Sequence, residues 1–253
     1  MKSSTPHAVE PPPRPMVEAH PREVPVWDIA VRLFHWLLVA LLALSWYTGE
    51  TGGLDEMTWH LWSGSAILAL VLFRIVWGLV GSTSARFGHF LYRPAEVMRY
   101  AGALARRTPR HYPGHTPLGG WMIVLMLLCL LVQATTGLFA NDDIVTEGPL
   151  AGWVTKEASD WLTTIHKWNF EVLLALAGIH VTAVVFYALV LRRNLITAMF
   201  TGRKPLGKSD SDTDSNTDSV SDTESAPALR FTHPAIALAI AAGAAGGVWL
   251  LVR

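Results

Sequence analysis

The chain has 253 residues, of which 51% are hydrophobic and 16% charged, a balance richer in apolar and poorer in charged side chains than a soluble domain carries. Twenty basic and twenty acidic residues cancel, so net charge gives no ground for a nucleic-acid partner and only the placement of charge along the chain is informative. The single cysteine, Cys129, excludes a disulfide framework, a zinc cluster and an iron–sulfur centre.

Residues 1–25 hold seven prolines, with Pro11-Pro12-Pro13 in a row, and no uninterrupted apolar core of the kind a secretory signal needs. This stretch reads as a disordered cytoplasmic arm. A bilayer core of about 30 Å asks for roughly 20 apolar residues in a helix, and four segments meet that demand, at 29–48, 60–80, 118–140 and 164–191. A fifth, 234–252, is built mainly of alanine and glycine and is expected to be an extra C-terminal span.

Loop charge gives the expected orientation, because Lys and Arg accumulate on the cytoplasmic side. The connection 81–117 holds Arg86, Arg93, Arg99, Arg106, Arg107 and Arg110, and the segment after the fourth span holds Arg192, Arg193, Arg203, Lys204 and Lys208. Residues 49–59 carry Glu50, Asp55 and Glu56 with no base; 141–163 carry Asp142, Asp143, Glu147, Glu157 and Asp160 against Lys156. The N-terminus is therefore expected inside, with Trp27, Trp59, Trp62, Trp121, Trp161 and Trp168 forming an aromatic belt. Within the inner loop, the pattern from Pro94 to Arg107 predicts an interfacial helix. Ser209 to Ser225 holds six acids and one apolar residue, too little to fold. The linker 206–230 is accordingly expected to be a disordered tether; its alternating Asp residues lack the glycine turn and helical flanks of a calcium loop.

Histidine within a bilayer is uncommon and faces the bundle interior for a functional reason. His166 and His180 lie 14 residues apart on the fourth span, which leaves them within about 40° of one face and about 21 Å apart in depth. One helix thus offers two ligands at two levels. His60 shares the outer level with His166, and His35 the inner level with His180, so the expected pairs are His60 with His166 and His35 with His180. No CxxCH segment provides covalent attachment, so two b-type haems with bis-histidine iron are expected. Filling both axial positions favours electron transfer over chemistry at the metal.

Haem propionates want guanidinium partners. Arg32, one turn before His35, and Arg74, 14 residues after His60 on the same face, are candidates for the inner haem, with snorkelling as the alternative for each. Gly64 and Gly178 lack side chains that would obstruct a macrocycle, or else serve close helix packing. His115, in Gly114-His115-Thr116-Pro117-Leu118, lies near the inner level, where a quinone would need a hydrogen-bonding and proton-donating group; an interfacial loop histidine is the equal alternative. His7, His20, His89, His111 and His233 are not expected to be ligands.

Several stretches resemble the bacterial cytochrome b561 and nickel-hydrogenase cytochrome b family: Val26-Trp27-Asp28 through Arg32-Leu33-Phe34-His35-Trp36, Trp59-His60 through Gly64, Arg74 through Trp77-Gly78, Gly114 to Leu118, and Ile165-His166 through Ile179-His180. The resemblance covers about 26–205. It implies an all-α integral membrane four-helix bundle binding two b-type haems at His35, His60, His166 and His180, in the bacterial cytoplasmic (inner) membrane. It also implies electron transfer between a periplasmic redox protein (a hydrogenase, c-type cytochrome or dehydrogenase) and the membrane quinone pool, with quinone bound near Gly114–Leu118. The expected role is a non-catalytic electron-transfer subunit of a respiratory oxidoreductase. A superoxide:quinone oxidoreductase acting at the outer haem, and a plain membrane anchor, are the alternatives. The acidic tail and the fifth span depart from the family's usual pattern.

Overall fold

Asp28 opens the first long helix by accepting the Val31 N–H at 2.7 Å, which satisfies one of the donors that a helix start leaves free. A computed structural model describes residues 23–108, 112, 114–192, 194–205 and 230–253 of the chain. The expected arm lies outside the described residues up to position 22, as does the tether over 206–229.

Helix α1 (Ile29–Thr51) turns directly into α2 (Leu54–Val80) through Gly52 and Gly53, at φ +66° and +103°. With ψ near ±180°, both occupy a backbone region essentially reserved for glycine, which is why so short a hairpin is possible. The second helix therefore starts six residues before its apolar stretch, helped by Asp55 and Glu56 in its first turn. His60 lies in its second turn and not at its opening, as sequence alone implied. At the other end of the hairpin Trp77 Nε1 donates to Asp28 at 3.1 Å, tying the end of α2 to the start of α1.

A short helical turn, α3 (Phe87–Phe90), and the interfacial helix α4 (Pro94–Ala105) follow. Tyr100 is the buried residue of α4, and its hydroxyl meets that of Tyr187 at 2.6 Å. Helix α5 (Pro117–Gly137) begins at Thr116, whose Oγ accepts the Gly119 N–H at 3.2 Å. Helix α6 (Lys156–Leu189), capped by Thr155, has 34 residues, or about 51 Å at 1.5 Å per residue, longer than a bilayer core. Its first two turns continue beyond the apolar stretch into the acidic loop. Helix α7 (Leu195–Thr201) ends at Gly202, in the left-handed conformation.

After α7 the chain returns alongside its own beginning. Strand β1 (Glu23–Pro25) pairs antiparallel with β2 (Arg203–Pro205), and the N–H groups of Val26 and Trp27 both donate to the Gly202 carbonyl. The ladder extends regular structure three residues into the segment expected to be a disordered arm.

The hairpins α1–α2 and α5–α6 pack internally, and α2 joins them by packing on α5. Among the long helices, α6 packs closely on α5 alone, and along its length Ser159, Leu173 and Tyr187 are the buried residues. Ile67, Val71, Cys129, Leu130 and Leu173 form the centre of the bundle, with Phe34, Phe73, Trp77 and Leu127 on one side of it.

The fifth span, α8 (Pro234–Leu251), lies along α2. Its start is pinned beside the end of α2: Thr83 N–H donates to the Arg230 carbonyl at 3.0 Å, Arg230 N–H to Thr83 Oγ at 3.0 Å and Thr232 N–H to Ser82 Oγ at 3.1 Å. Its last turn, with Val248, Trp249 and Val252, lines a cavity with Leu61, Trp62 and Ser65 from the start of α2. The two helices are thus antiparallel. Each of the five long helices is apolar and long enough to cross a membrane, and Trp59, Trp62, Trp121, Trp161 and Trp168 are exposed on the bundle surface.

Candidate functional site

The bundle has an acidic end, where the Gly52-Gly53 turn and the loop 138–155 lie, and a basic end, where α3, α4 and the beginning of α1 lie. At the acidic end the rings of His60 on α2 and His166 on α6 face each other, with centroids 6.2 Å apart and planes crossed at 78°. The neighbouring helix of each hairpin orients its imidazole. His60 Nδ1 lies 2.8 Å from the Ser45 carbonyl on α1, and His166 Nδ1 lies 2.9 Å from the Gln133 carbonyl on α5. A carbonyl can only accept, so Nδ1 is the protonated nitrogen in both rings and Nε2 keeps its lone pair. Ser45 Oγ and Thr136 Oγ1 each approach the corresponding Nδ1 at 3.3 Å.

Four residues after each accepting carbonyl comes a glycine. A Cβ on Gly49 would stand 3.0 Å from the His60 ring, and one on Gly137 2.9 Å from the His166 ring. The motif is the same on two helices: a carbonyl to take the imidazole proton and, one turn later, a residue without a side chain to admit the ring. Sequence reasoning missed Ser45, Gly49, Gln133, Thr136 and Gly137. The legible trace was a polar residue four positions before a glycine in two apolar helices.

At the basic end His35 and His180 are electrostatic neighbours. His35 packs edge-on against Trp36 at 5.0 Å, and its buried Nδ1 has no hydrogen-bond partner among the described residues. The backbone cradle of the acidic-end pair is not repeated there. Gly64, one turn after His60, and Gly178, beside His180, are open: a Cβ on either meets no atom within 4 Å. Close helix packing, one reading of these glycines, therefore does not account for them; Gly78, against the Phe87 ring, is the glycine of α2 that packing requires.

The two candidate arginines part company. Arg32 donates from Nε to the Met199 carbonyl at 3.3 Å and from Nη2 to the Phe200 carbonyl, so it holds the last turn of α7. Arg74 is 2% exposed; its guanidinium lies 5.3 Å from the Phe87 ring centre and 6.0 Å from that of Phe90. It interacts electrostatically with Asp28, and its buried Nη1 has no acceptor among the described residues. His115 sits between Trp27 at 4.2 Å and Phe90 at 4.6 Å. Phe90 of α3 thus lies beside both Arg74 and His115 at the basic end.

Lys156 pairs with Asp143 and Asp160. Asp142 accepts the N–H groups of Ile144, Thr146 and Val145, and these donors hold its carboxyl well below the usual range, at about 2.

No curated protein and no solved structure matches the chain at a significant level. The model of the family described as prokaryotic cytochrome b561 matches residues 26–202, from the residue before Trp27 to the glycine that closes α7. These paired membrane histidines thus stand in a chain that belongs to the prokaryotic cytochrome b561 family, b-type cytochromes that transfer electrons within the membrane.

Proposed function

We propose that this chain carries electrons across the bacterial cytoplasmic membrane between a periplasmic redox protein and the quinone pool, through two b-type haems ligated by His60 with His166 and by His35 with His180. The observation that carries the reading is the acidic-end pair. An iron about 2.0 Å from each ligating nitrogen, with each nitrogen roughly 1 Å from its ring centre, needs ring centres roughly 6 Å apart; His60 and His166 stand at 6.2 Å. Their Nδ1 protons are spent on backbone carbonyls, so each Nε2 keeps the lone pair that a metal requires. The open Gly64 and Gly178 suit a flat macrocycle at both levels.

When bound, the haems supply a one-electron ferric–ferrous couple, and the protein's own residues do the rest. The four imidazoles would hold the two groups at two depths, His166 and His180 from α6, His60 from α2 and His35 from α1. Arg74, buried and with a free donor, suits a propionate of the inner haem. Arg32, committed to α7, serves that site through the fold. His115, wedged between Trp27 and Phe90 near Arg74, suits hydrogen bonding and proton exchange with a quinone headgroup at the basic end.

The arginine-rich loops support a cytoplasmic basic end and an acidic end outside. The partner would be a hydrogenase, a c-type cytochrome or another dehydrogenase. Direct reaction with superoxide is disfavoured by charge, because Glu50, Asp55, Glu56, Asp142, Glu147 and Glu157 repel an anion from the outer level. The direct test is haem stoichiometry. The parent should hold two haems per chain, and His166→Ala and His180→Ala one each; equal haem in variant and parent sinks the ligand assignment. Stopped-flow mixing with superoxide in the absence of any partner protein should give only slow haem reduction.

A further inference from the structure

Where α1, α7 and α8 come together at the basic end they leave a cavity of about 350 Å3. Trp27, Ile29 and Arg32 line it from the approach to α1 and its first turn, Arg203 from β2, and Phe231 and Thr232 from the segment leading into α8. The last three lie beyond residue 202, where the family match ends, so the cavity owes part of its wall to the return of the chain into the fifth helix. None of the four paired histidines lines it.

Arg32 gives the cavity its chemistry. Its Nε and Nη2 donate to the Met199 and Phe200 carbonyls, which fixes the guanidinium plane before any ligand arrives. Its Nη1 has no acceptor among the described residues. That nitrogen lies on the side of Gly202, where an added Cβ would stand 3.1 Å from it, and Gly202 also lines the cavity. The wall holds one carboxylate, Asp28, which accepts from the Val31 N–H and Trp77 Nε1 and interacts electrostatically with Arg74. Two guanidinium groups thus stand against one carboxylate that is already engaged, a setting that suits phosphate oxygens.

Depth and shape decide which phosphate. Helices α1 and α8 both begin here, so the cavity lies at the level of two span ends, where a bilayer keeps its headgroups. Ile29 and Phe231 are 51% and 45% exposed, and with Pro234 they give the cavity an apolar wall on the bundle surface. Room equivalent to roughly a dozen water molecules takes a phosphate with its glycerol and leaves acyl chains outside.

We propose that this cavity binds the headgroup of an anionic phospholipid, its phosphate on Arg32 and Arg203 and its acyl chains along α1 and α8. A basic pocket between spans at headgroup level is the form that such lipid sites take. Phosphatidylglycerol brings one negative charge to the guanidinium pair, whereas the choline of phosphatidylcholine is a cation that the same pair repels. The bound lipid joins α8 to the α1 and α7 side of the bundle, in addition to the packing of α8 on α2.

The test is native mass spectrometry of the full-length protein in detergent, titrated separately with phosphatidylglycerol and phosphatidylcholine. The first phosphatidylglycerol should bind more tightly than the first phosphatidylcholine. Arg203→Gln should weaken it about fivefold, the effect of one basic residue near an anionic lipid surface, and leave phosphatidylcholine unchanged, while Arg203→Lys stays near the parent. Phe231→Asp, which sets a carboxylate at the cavity without removing an arginine, should weaken it as well and decides the question if Arg203→Gln does not fold. Equal affinity of the parent for the two lipids, or a folded Arg203→Gln or Phe231→Asp variant that binds phosphatidylglycerol as tightly as the parent, overturns the proposal. Displacement of the bound lipid by inorganic phosphate overturns it too, because the cavity would then be a site for soluble anions.

Discussion

Gly137 sits so close under the His166 ring that a single added methyl would stand 2.9 Å from it, and that ring is held from above by the Gln133 carbonyl. Gly137→Ala should therefore displace the imidazole, because a rigid ring wedged between backbone and a new Cβ has no flexible end to yield. On the proposed ligation, the expected outcome is a fall from two haems per chain toward one, read from the haemochrome spectrum, with Gly178→Ala, whose Cβ meets nothing within 4 Å, nearer to the parent. Asp142 gives a prediction of another kind. Its folded carboxyl titrates at about 2, below the roughly 3.9 of an unfolded aspartate, so the loop gains stability from the charged form above that value. The gain is lost as pH falls through the interval toward 2. The protection factors of the Ile144, Val145 and Thr146 amides, taken against the intrinsic exchange rate at each pH, should be equal at pH 7 and pH 5 and fall between about pH 4 and pH 2. Asp142→Ala should abolish the protection at neutral pH. The four histidines were legible in the sequence because residue type and a 14-residue interval suffice to find them. Ser45 and Gln133 were not, because they act through backbone carbonyls, which every residue possesses.

On the level of elements, apolar runs located all five long helices, while their ends followed other forces. Helices α2 and α6 both begin in polar sequence, where Thr155 caps and first-turn acids favour a helical start; hydropathy marks the part of a helix in lipid and is silent about the rest. The α1–α2 connection shows the same limit. Two glycines adjacent to acids read as a loop of several residues, whereas their backbone freedom makes a two-residue hairpin. That hairpin fixes how α1, which carries the Ser45 carbonyl, stands against His60. Replacing Gly53 with Ala meets both a φ of +103° and the Glu56 carboxylate 2.5 Å from the new Cβ, and a non-glycine residue in this region costs on the order of 1–3 kcal/mol. The variant should unfold at lower temperature than the parent, with the loss concentrated at the outer haem. Gly52→Ala, at φ +66° with nothing within 4 Å, should be milder; equal stability of all three proteins would contradict the hairpin geometry.

Across the whole molecule, the family match ends at residue 202, and the fifth helix changes which side of the membrane the chain ends on. Four spans return a chain to the side where it began, and five do not. The alanine and glycine helix is as apolar as α1, and its contacts constrain both of its ends. Arg230 and Thr232 bond to Ser82 and Thr83 at the basic end, and Val248, Trp249 and Val252 meet Leu61, Trp62 and Ser65 at the acidic end. A helix tied to α2 at both levels must cross wherever α2 crosses. With the basic end in the cytoplasm, alkaline phosphatase fused after Arg253 should be active and green fluorescent protein at the same position dark. Fusions after Lys208 should show the opposite pair of results. If both junctions report the cytoplasm, α8 does not span and its packing on α2 is refuted. If the two junctions report in the reverse order, periplasm after Lys208 and cytoplasm after Arg253, the orientation taken from the arginine-rich loops is wrong, and the quinone site proposed at His115 lies on the other side of the membrane.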